Sequence, residues 1–429
     1  VQQTEGTHSH PRIGATQRAR TMGLLTRLRD FFRWAPASNT LLQEAEEELL
    51  RELQTPIVHR RIPCGEGVEL NTVETLSEGP PLVLMHGWGA GIGFWIRNID
   101  DLASHFKVYA VDWLGFGGSS RPTFRGRTTE DAEDWWVDSL EEWRAHAGIE
   151  KMVLVGHSLG GYLCANYALR YPDRVIKLIL VSPVGVPAAP PMDGDKSHAD
   201  EDMESSSRGQ ATEGSGNADE SGKSQQPIQR RRFPWWALLL AKVIWKATPQ
   251  TMLRLLGPLG PRLMQGYAER RFLRKVPAGF ANYIYQINAH PQTSSGGRAT
   301  KYILGMWAYA LKPLWNRMDS LEVPVSLVYG DRDWMDADAG RRLVHRLNSL
   351  HPEMEGSFAD MEILEKAGHH LYLDNDEDFA DFILRSTEGV PGRVGDLSGG
   401  GSPRHEVLEQ HPHLPEDLEE ELEEAVLPD

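Results

Sequence analysis

Cysteine is almost missing from this chain: Cys64 and Cys164 are the two in 429 residues. Two thiols make at most one bridge, which excludes a disulfide-stapled fold and a four-cysteine zinc site. No run of about 18–20 apolar residues occurs, so no transmembrane helix is predicted. No secretory signal is evident, and an opening Val in place of Met leaves a longer native start or a processed terminus open. Positive charge is short as well. The 45 Lys+Arg stand against 61 Asp+Glu, a net charge of −16. Taken as a sum, that argues against nucleic acid and against an anionic membrane as partners.

The distribution of charge alters the second of these exclusions. Residues 402–429 carry −9 and residues 191–229 carry −6, whereas residues 230–275 carry +10. The acidity therefore belongs to two segments poor in large apolar residues, both expected to be disordered. The segment between them is basic and rich in Trp and Leu. The first 34 residues are also basic, with Arg12, Arg18, Arg20, Arg27, Arg29 and Arg33 against Glu5 and Asp30. A mitochondrial or chloroplast transit segment and an unstructured basic leader both fit that pattern.

What is present in quantity is short apolar runs separated by helical periodicity. Residues 81–85, 108–112, 152–156, 176–182 and 325–329 are such runs, and they read as buried parallel strands. Residues 57–73 supply an antiparallel leading pair, and 41–53 a charged helix. The pattern gives an α/β fold: a mostly parallel sheet with helices on both faces and an inserted helical cap. The expected boundaries are a basic leader and charged helix over 1–54, the first half of the core over 55–185 and a disordered acidic insert over 186–229. The helical cap follows over 230–320, the second half of the core over 321–386 and an acidic tail over 387–429.

Gly156-His157-Ser158-Leu159-Gly160 fits G-x-S-x-G between a strand and a helix. The turn is tight, so small residues flank the serine, whose hydroxyl is lifted off the sheet edge. His86-Gly87-Trp88-Gly89 follows the run at 82–85. Acyl transfer needs two backbone N–H donors at the developing oxyanion. The amides of Leu159 and Trp88 are placed to supply them, with His86 holding the loop. A serine needs a base, and the order for this architecture is Ser, acid, His. His369, directly after Gly368, is the expected base, with His370 as its alternative. Asp333 in Gly330-Asp331-Arg332-Asp333 is the expected acid, with Asp331 as its alternative. Asp336 and Asp338 read as capping or solvated groups.

Together these motifs, with Asp112-Trp113-Leu114-Gly115-Phe116-Gly117-Gly118-Ser119, resemble the α/β-hydrolase superfamily. Within it the chain is similar to the branch of N-acyl-phospholipid lipases, the lipid-droplet lipase co-activator, plant relatives and fungal cardiolipin deacylases. Gly93-Phe94-Trp95, Arg97-Asn98, residues 112–117 and His369 five residues before Asp374 carry the closer likeness, over about 45–185 and 300–385. The resemblance implies acyl-ester chemistry on phospholipids or lysophospholipids, with no metal or nicotinamide cofactor. The animal co-activator of this branch lacks the serine; Ser158 stands here, which favours an active hydrolase. It also argues against epoxide hydrolases and dehalogenases, which use Asp. In this branch the H-x4-D spacing has been linked to lysophosphatidate acyl transfer, although Asp374 reads more simply as opening a solvated or capping acidic segment. The three classes carried forward are a serine lipid hydrolase, a lysophosphatidate acyltransferase and a non-catalytic scaffold at a lipid surface.

The cap adds a partner. Trp235, Trp236 and Trp245 stand beside Arg230, Arg231 and Arg232 in a run too short to span a bilayer. Aromatic and basic anchors of this kind suit an interfacial helix, while packing of the same residues on the core is the competing expectation. The expected location is a peripheral membrane or lipid-droplet surface, with mitochondrial and cytoplasmic placements open, and no nucleic acid as partner.

Overall fold

The structure, a computed structural model, describes residues 36–187, 253–254, 256–257, 259–272, 276–290, 295–305, 308–354 and 357–393. Trp235, Trp236, Trp245, Arg230, Arg231 and Arg232 lie outside the described residues, as do most of the acidic insert and tail. Among the described residues, eight strands form one sheet. They are β1 (Ile57–Pro63), β2 (Glu69–Thr75), β3 (Pro81–Met85), β4 (Lys107–Val111), β5 (Met152–His157), β6 (Val175–Val181), β7 (Val325–Gly330) and β8 (Ala359–Leu364). Their spatial order is β1-β2-β4-β3-β5-β6-β7-β8. β2 runs antiparallel to both β1 and β4; the remaining neighbours are parallel.

The five apolar runs become β3 to β7, and the reason is burial on both faces. Val83, Met85, Tyr109, Val111, Leu154, Leu178 and Leu180 enter one core, while Leu82, Leu84, Val108, Ala110, Val155, Ile179 and Val181 enter the other. A strand covered on both sides has no polar face to show, so it reads as a continuous apolar run. The helices supply the covers. The first ones are α1 (Asn39–Leu50), α2 (Ile99–Ala103), α3 (Thr129–His146) and α4 (Leu159–Arg170). α3 starts at a capping box between Thr128 and Asp131 and buries Trp136, Leu140 and Trp143 on the first face. The charged helix expected at 41–53 runs Asn39–Leu50 and buries Leu42, Ala45 and Leu49 on the second face, so it packs on the core.

Between β6 and β7 the chain inserts α5 (Leu259–Phe272), α6 (Phe280–Asn288) and α7 (Ser295–Ile303). Phe272 and Phe280 pack on Phe94, with ring centroids 6.2 and 5.0 Å away, which seats the insertion on the loop after β3. The last helices are α8 (Ala337–Leu350), capped by the Asp336 carboxylate on the Ala339 N–H, α9 (Leu371–Asp374) and α10 (Asp376–Ser386).

Candidate active site

Ser158 stands at the sharp turn between β5 and α4 with φ 54° and ψ −116°, a left-handed conformation that a side chain rarely adopts. Neighbouring glycines make the turn possible. A Cβ at Gly160 would lie 2.5 Å from the His86 carbonyl oxygen, and one at Gly156 would lie 2.6 Å from the Gly160 carbonyl oxygen. The turn is tied to the sheet by the Ser158 N–H, which donates to the Val181 carbonyl at 2.9 Å.

The Ser158 hydroxyl meets His369 Nε2 at 3.0 Å, and His369 Nδ1 meets Asp333 Oδ1 at 3.1 Å. Asp333 Oδ1 also accepts the Met335 N–H at 3.1 Å. Exposure rises along the chain of contacts, from a carboxylate 1% exposed to an imidazole 13% exposed. Burial alone would raise the Asp333 carboxyl. The hydrogen bond and charge of His369 outweigh it, with smaller help from Ser182 and the Met335 amide, and hold it below the ordinary aspartate range. Asp333 is therefore ionised at neutral pH, so His369 Nδ1 carries the proton and Nε2 is left to accept from the serine.

The alternatives left open by the sequence stand outside the relay. Asp331 accepts the Ala367 N–H at 2.9 Å and so braces the loop before His369. The His370 ring lies 5.6 Å from those of Phe94 and Phe272. His86 is fully buried; its Nδ1–H donates to the Gly87 carbonyl at 2.7 Å and its Nε2 accepts the Trp113 N–H at 3.1 Å. Those partners leave it no role but holding the loop. Asp112, also fully buried, accepts the Ile92 N–H at 2.8 Å and the Gly118 N–H at 2.7 Å, tying that loop to the one after β4.

A cavity of about 650 Å³ opens over Ser158. Trp88 and Leu159 wall it beside Ser158 and His369, and the insertion contributes Leu253, Met264 and Ile284. Leu159 opens α4, where the first-turn amides have no intrahelical acceptor. Among the described residues, no group of three or more His, Cys, Asp or Glu is arranged to hold a metal ion, and no helix is long and apolar enough to cross a membrane.

Four contributors carry no signal in the sequence. The His157 ring, at the variable position of the serine motif, donates from Nε2 to the His369 carbonyl at 2.8 Å. The Trp334 ring lies 4.9 Å from that of His369. Asn288 of α6 donates to the Gly89 carbonyl at 2.9 Å. Arg271 of α5 meets Asp374 at 2.7 and 2.9 Å. Asp374 is thus not a solvated start of the acidic segment: its side chain is 13% exposed and engaged by an arginine.

Burial depresses His86, His157 and His370; neighbouring histidines add to the effect on the last two, and Arg271 adds to it on His370. His290 is pushed down to about 3 by burial and nearby arginines. His59 runs the other way, because Glu46 outweighs burial and raises it. A histidine depressed in the folded state stabilises the fold above its unfolded value, near 6.5, and loses that contribution as pH falls. Each contributes up to about 1.4 kcal/mol per pH unit below that value. Four such histidines stand against His59 and the Glu46 carboxyl, which burial raises, so the urea midpoint should fall from pH 7 to pH 5. A flat or rising midpoint over that range would contradict the placement of these rings.

Comparison with known proteins gives a consistent result. A family model described as alpha/beta hydrolase fold matches residues 80–376. The (lyso)-N-acylphosphatidylethanolamine lipase of Bos taurus is 34% identical over 348 residues, covering 79% of this chain and 88% of that protein. The 1-acylglycerol-3-phosphate O-acyltransferase of Arabidopsis thaliana is 33% identical over 381 residues, covering 82% of this chain and 81% of that protein. Among solved structures, carboxylesterase CesB from Bacillus subtilis superposes with a TM-score of 0.54 at 18% identity, covering 82% of this chain and 98% of that one.

Proposed function

The chain belongs to the alpha/beta hydrolase fold family, and on that premise we propose that it is a serine hydrolase cleaving acyl esters of phospholipids or lysophospholipids through Ser158, His369 and Asp333. The observation that carries this reading is the relay of 3.0 and 3.1 Å contacts ending at the floor of an apolar cavity. Ser158 Oγ attacks the ester carbonyl while His369 Nε2 takes its proton. The tetrahedral oxyanion is held by the Leu159 and Trp88 amides. Collapse breaks the ester bond, His369 protonates the leaving alcohol, and the acyl group remains on Ser158. Water then attacks the acyl-enzyme, giving its proton to His369, and the fatty acid leaves as the serine is restored. Asp333 holds the imidazole tautomer and stabilises the imidazolium at both stages.

The cavity supports an acyl chain as the group bound. Its size lies in the range of small-molecule sites, and its rim is apolar. Leu256, Leu263 and Tyr267 line it and are 39%, 46% and 38% exposed, and Trp334 is 61% exposed. A rim of this kind fits a substrate that presents itself in a lipid surface, and with it a peripheral position for the protein. The interfacial role expected for Trp235, Trp236, Trp245, Arg230, Arg231 and Arg232 belongs to the same proposal.

A second reading uses the same acyl-enzyme with a lysophospholipid hydroxyl as acceptor in place of water. The kinship with a plant 1-acylglycerol-3-phosphate O-acyltransferase favours it. The test is purified protein on a panel of phospholipids and lysophospholipids, with and without acyl-CoA, read by mass spectrometry. Free fatty acid and lysophospholipid are expected. Along a series of p-nitrophenyl esters, kcat/KM should rise roughly fourfold per sheltered methylene until the cavity is filled. New phospholipid made only when acyl-CoA is present would favour the second reading, and no turnover of any lipid would refute both.

A further inference from the structure

We infer that Asp374 is a positioning residue that, together with Arg271 of the inserted α5, clamps the Gly368 amide one residue before His369, so that its effect on the reaction passes through the imidazole's placement. The inference rests on the serine-hydrolase reading above.

The loop from Ala367 to His369 is braced at three backbone groups. Asp331 accepts the Ala367 N–H at 2.9 Å, Asp374 Oδ2 accepts the Gly368 N–H at 2.8 Å, and the His369 carbonyl accepts from His157 Nε2 at 2.8 Å. Of these braces, the one from Asp374 reaches the insertion. Its Oδ1 accepts Arg271 Nη1 at 2.7 Å and its Oδ2 accepts Arg271 Nη2 at 2.9 Å, a paired geometry that fixes direction as well as distance. Arg271 Nη2 also stands 3.5 Å from His370 Nδ1, and the His370 ring packs between Phe94 and Phe272. The carboxylate that closes the H-x4-D spacing thus joins three things: the cap, the loop carrying His369 and the aromatic cluster behind it.

Both carboxylate oxygens are engaged by Arg271 and the Gly368 amide, while the cavity wall on this side is made by His369 and His370. A group so held sets geometry rather than carrying protons. The pair is largely buried, with side chains 26% and 13% exposed, so removing one partner strands the other. Their effects should therefore be non-additive.

The experiment is a double-mutant cycle of Asp374→Ala and Arg271→Ala in the full chain. It reads kcat and KM on a short ester, the rate of fluorophosphonate labelling at Ser158, and acyl transfer to a lysophospholipid. Asp374→Ala should lower kcat by on the order of 10²-fold with KM little changed, the scale of a small misplacement of a reacting group. Labelling should slow by the same factor. Asp374→Asn, which keeps an oxygen for the Gly368 N–H, should recover part of the loss. The double variant should be no slower than Asp374→Ala alone, and hydrolysis and transfer should fall together. An unchanged kcat in Asp374→Ala would overturn the inference. So would loss of transfer with hydrolysis intact, which would give Asp374 a chemical role in transfer. If Asp374→Ala does not fold, Asp374→Asn and Arg271→Lys carry the test, and wild-type kcat in both would overturn it. Wild-type protein that fails to label at Ser158 would instead remove the underlying hydrolase reading.

Discussion

Replacing Ser158 with Ala is expected to lower lipid-ester hydrolysis by at least about 10⁴-fold, on the order of 5 kcal/mol in the barrier, while substrate binding is retained. The size follows from the geometry. Ser158 Oγ is the atom facing His369 Nε2 at the cavity floor. Removing it takes away the nucleophile together with the purpose of the base behind it. Groups acting as one unit are non-additive, so adding His369→Ala to Ser158→Ala should cost almost nothing more. The strain at φ 54° remains with Ala at this position, so the variant should melt close to wild type. A variant that kept more than a tenth of wild-type turnover would refute the mechanism.

Asp333→Asn is expected to lower kcat by about 10⁴-fold, a loss comparable to that of the nucleophile, although this residue never touches substrate. The carboxylate is almost fully buried and faces His369 Nδ1. A neutral amide there stabilises the imidazolium poorly and can present its NH₂ to the ring, which selects the wrong tautomer. Asp331→Asn is the internal contrast. Asp331 Oδ1 accepts the Ala367 N–H, and an Asn carbonyl oxygen can do the same. Its kcat should stay within about tenfold of wild type. Parallel kcat measurements on the two variants decide between the carboxylates, and equal losses would contradict the assignment of Asp333.

Much of this arrangement is legible in the sequence. Parallel strands buried on both faces leave apolar runs in the chain, so β3 to β7 could be placed within a residue or two. The serine turn was readable because its steric demand leaves glycine at fixed positions around Ser158. The partners drawn from the insertion were not. Arg271 lies 103 positions from Asp374, and Asn288 lies 199 from Gly89. No local pattern links residues so far apart. Asp374 reads as solvated for a related reason: Asn375, Asp376, Glu377 and Asp378 follow it, and an acidic run usually faces solvent. His157 gives no signal in the sequence because its position in the serine motif tolerates any residue that fits, and its use depends on where the His369 carbonyl arrives in space.

The central claim is that Ser158 is a nucleophile activated by His369, and it has one direct measurement. Purified protein is treated with a fluorophosphonate at neutral pH, digested, and the adduct is located by mass spectrometry. The expected result is one adduct per chain, on Ser158, with labelling slowed by several orders of magnitude in His369→Ala. Folded protein that takes no label, or takes it on another residue, would contradict the claim.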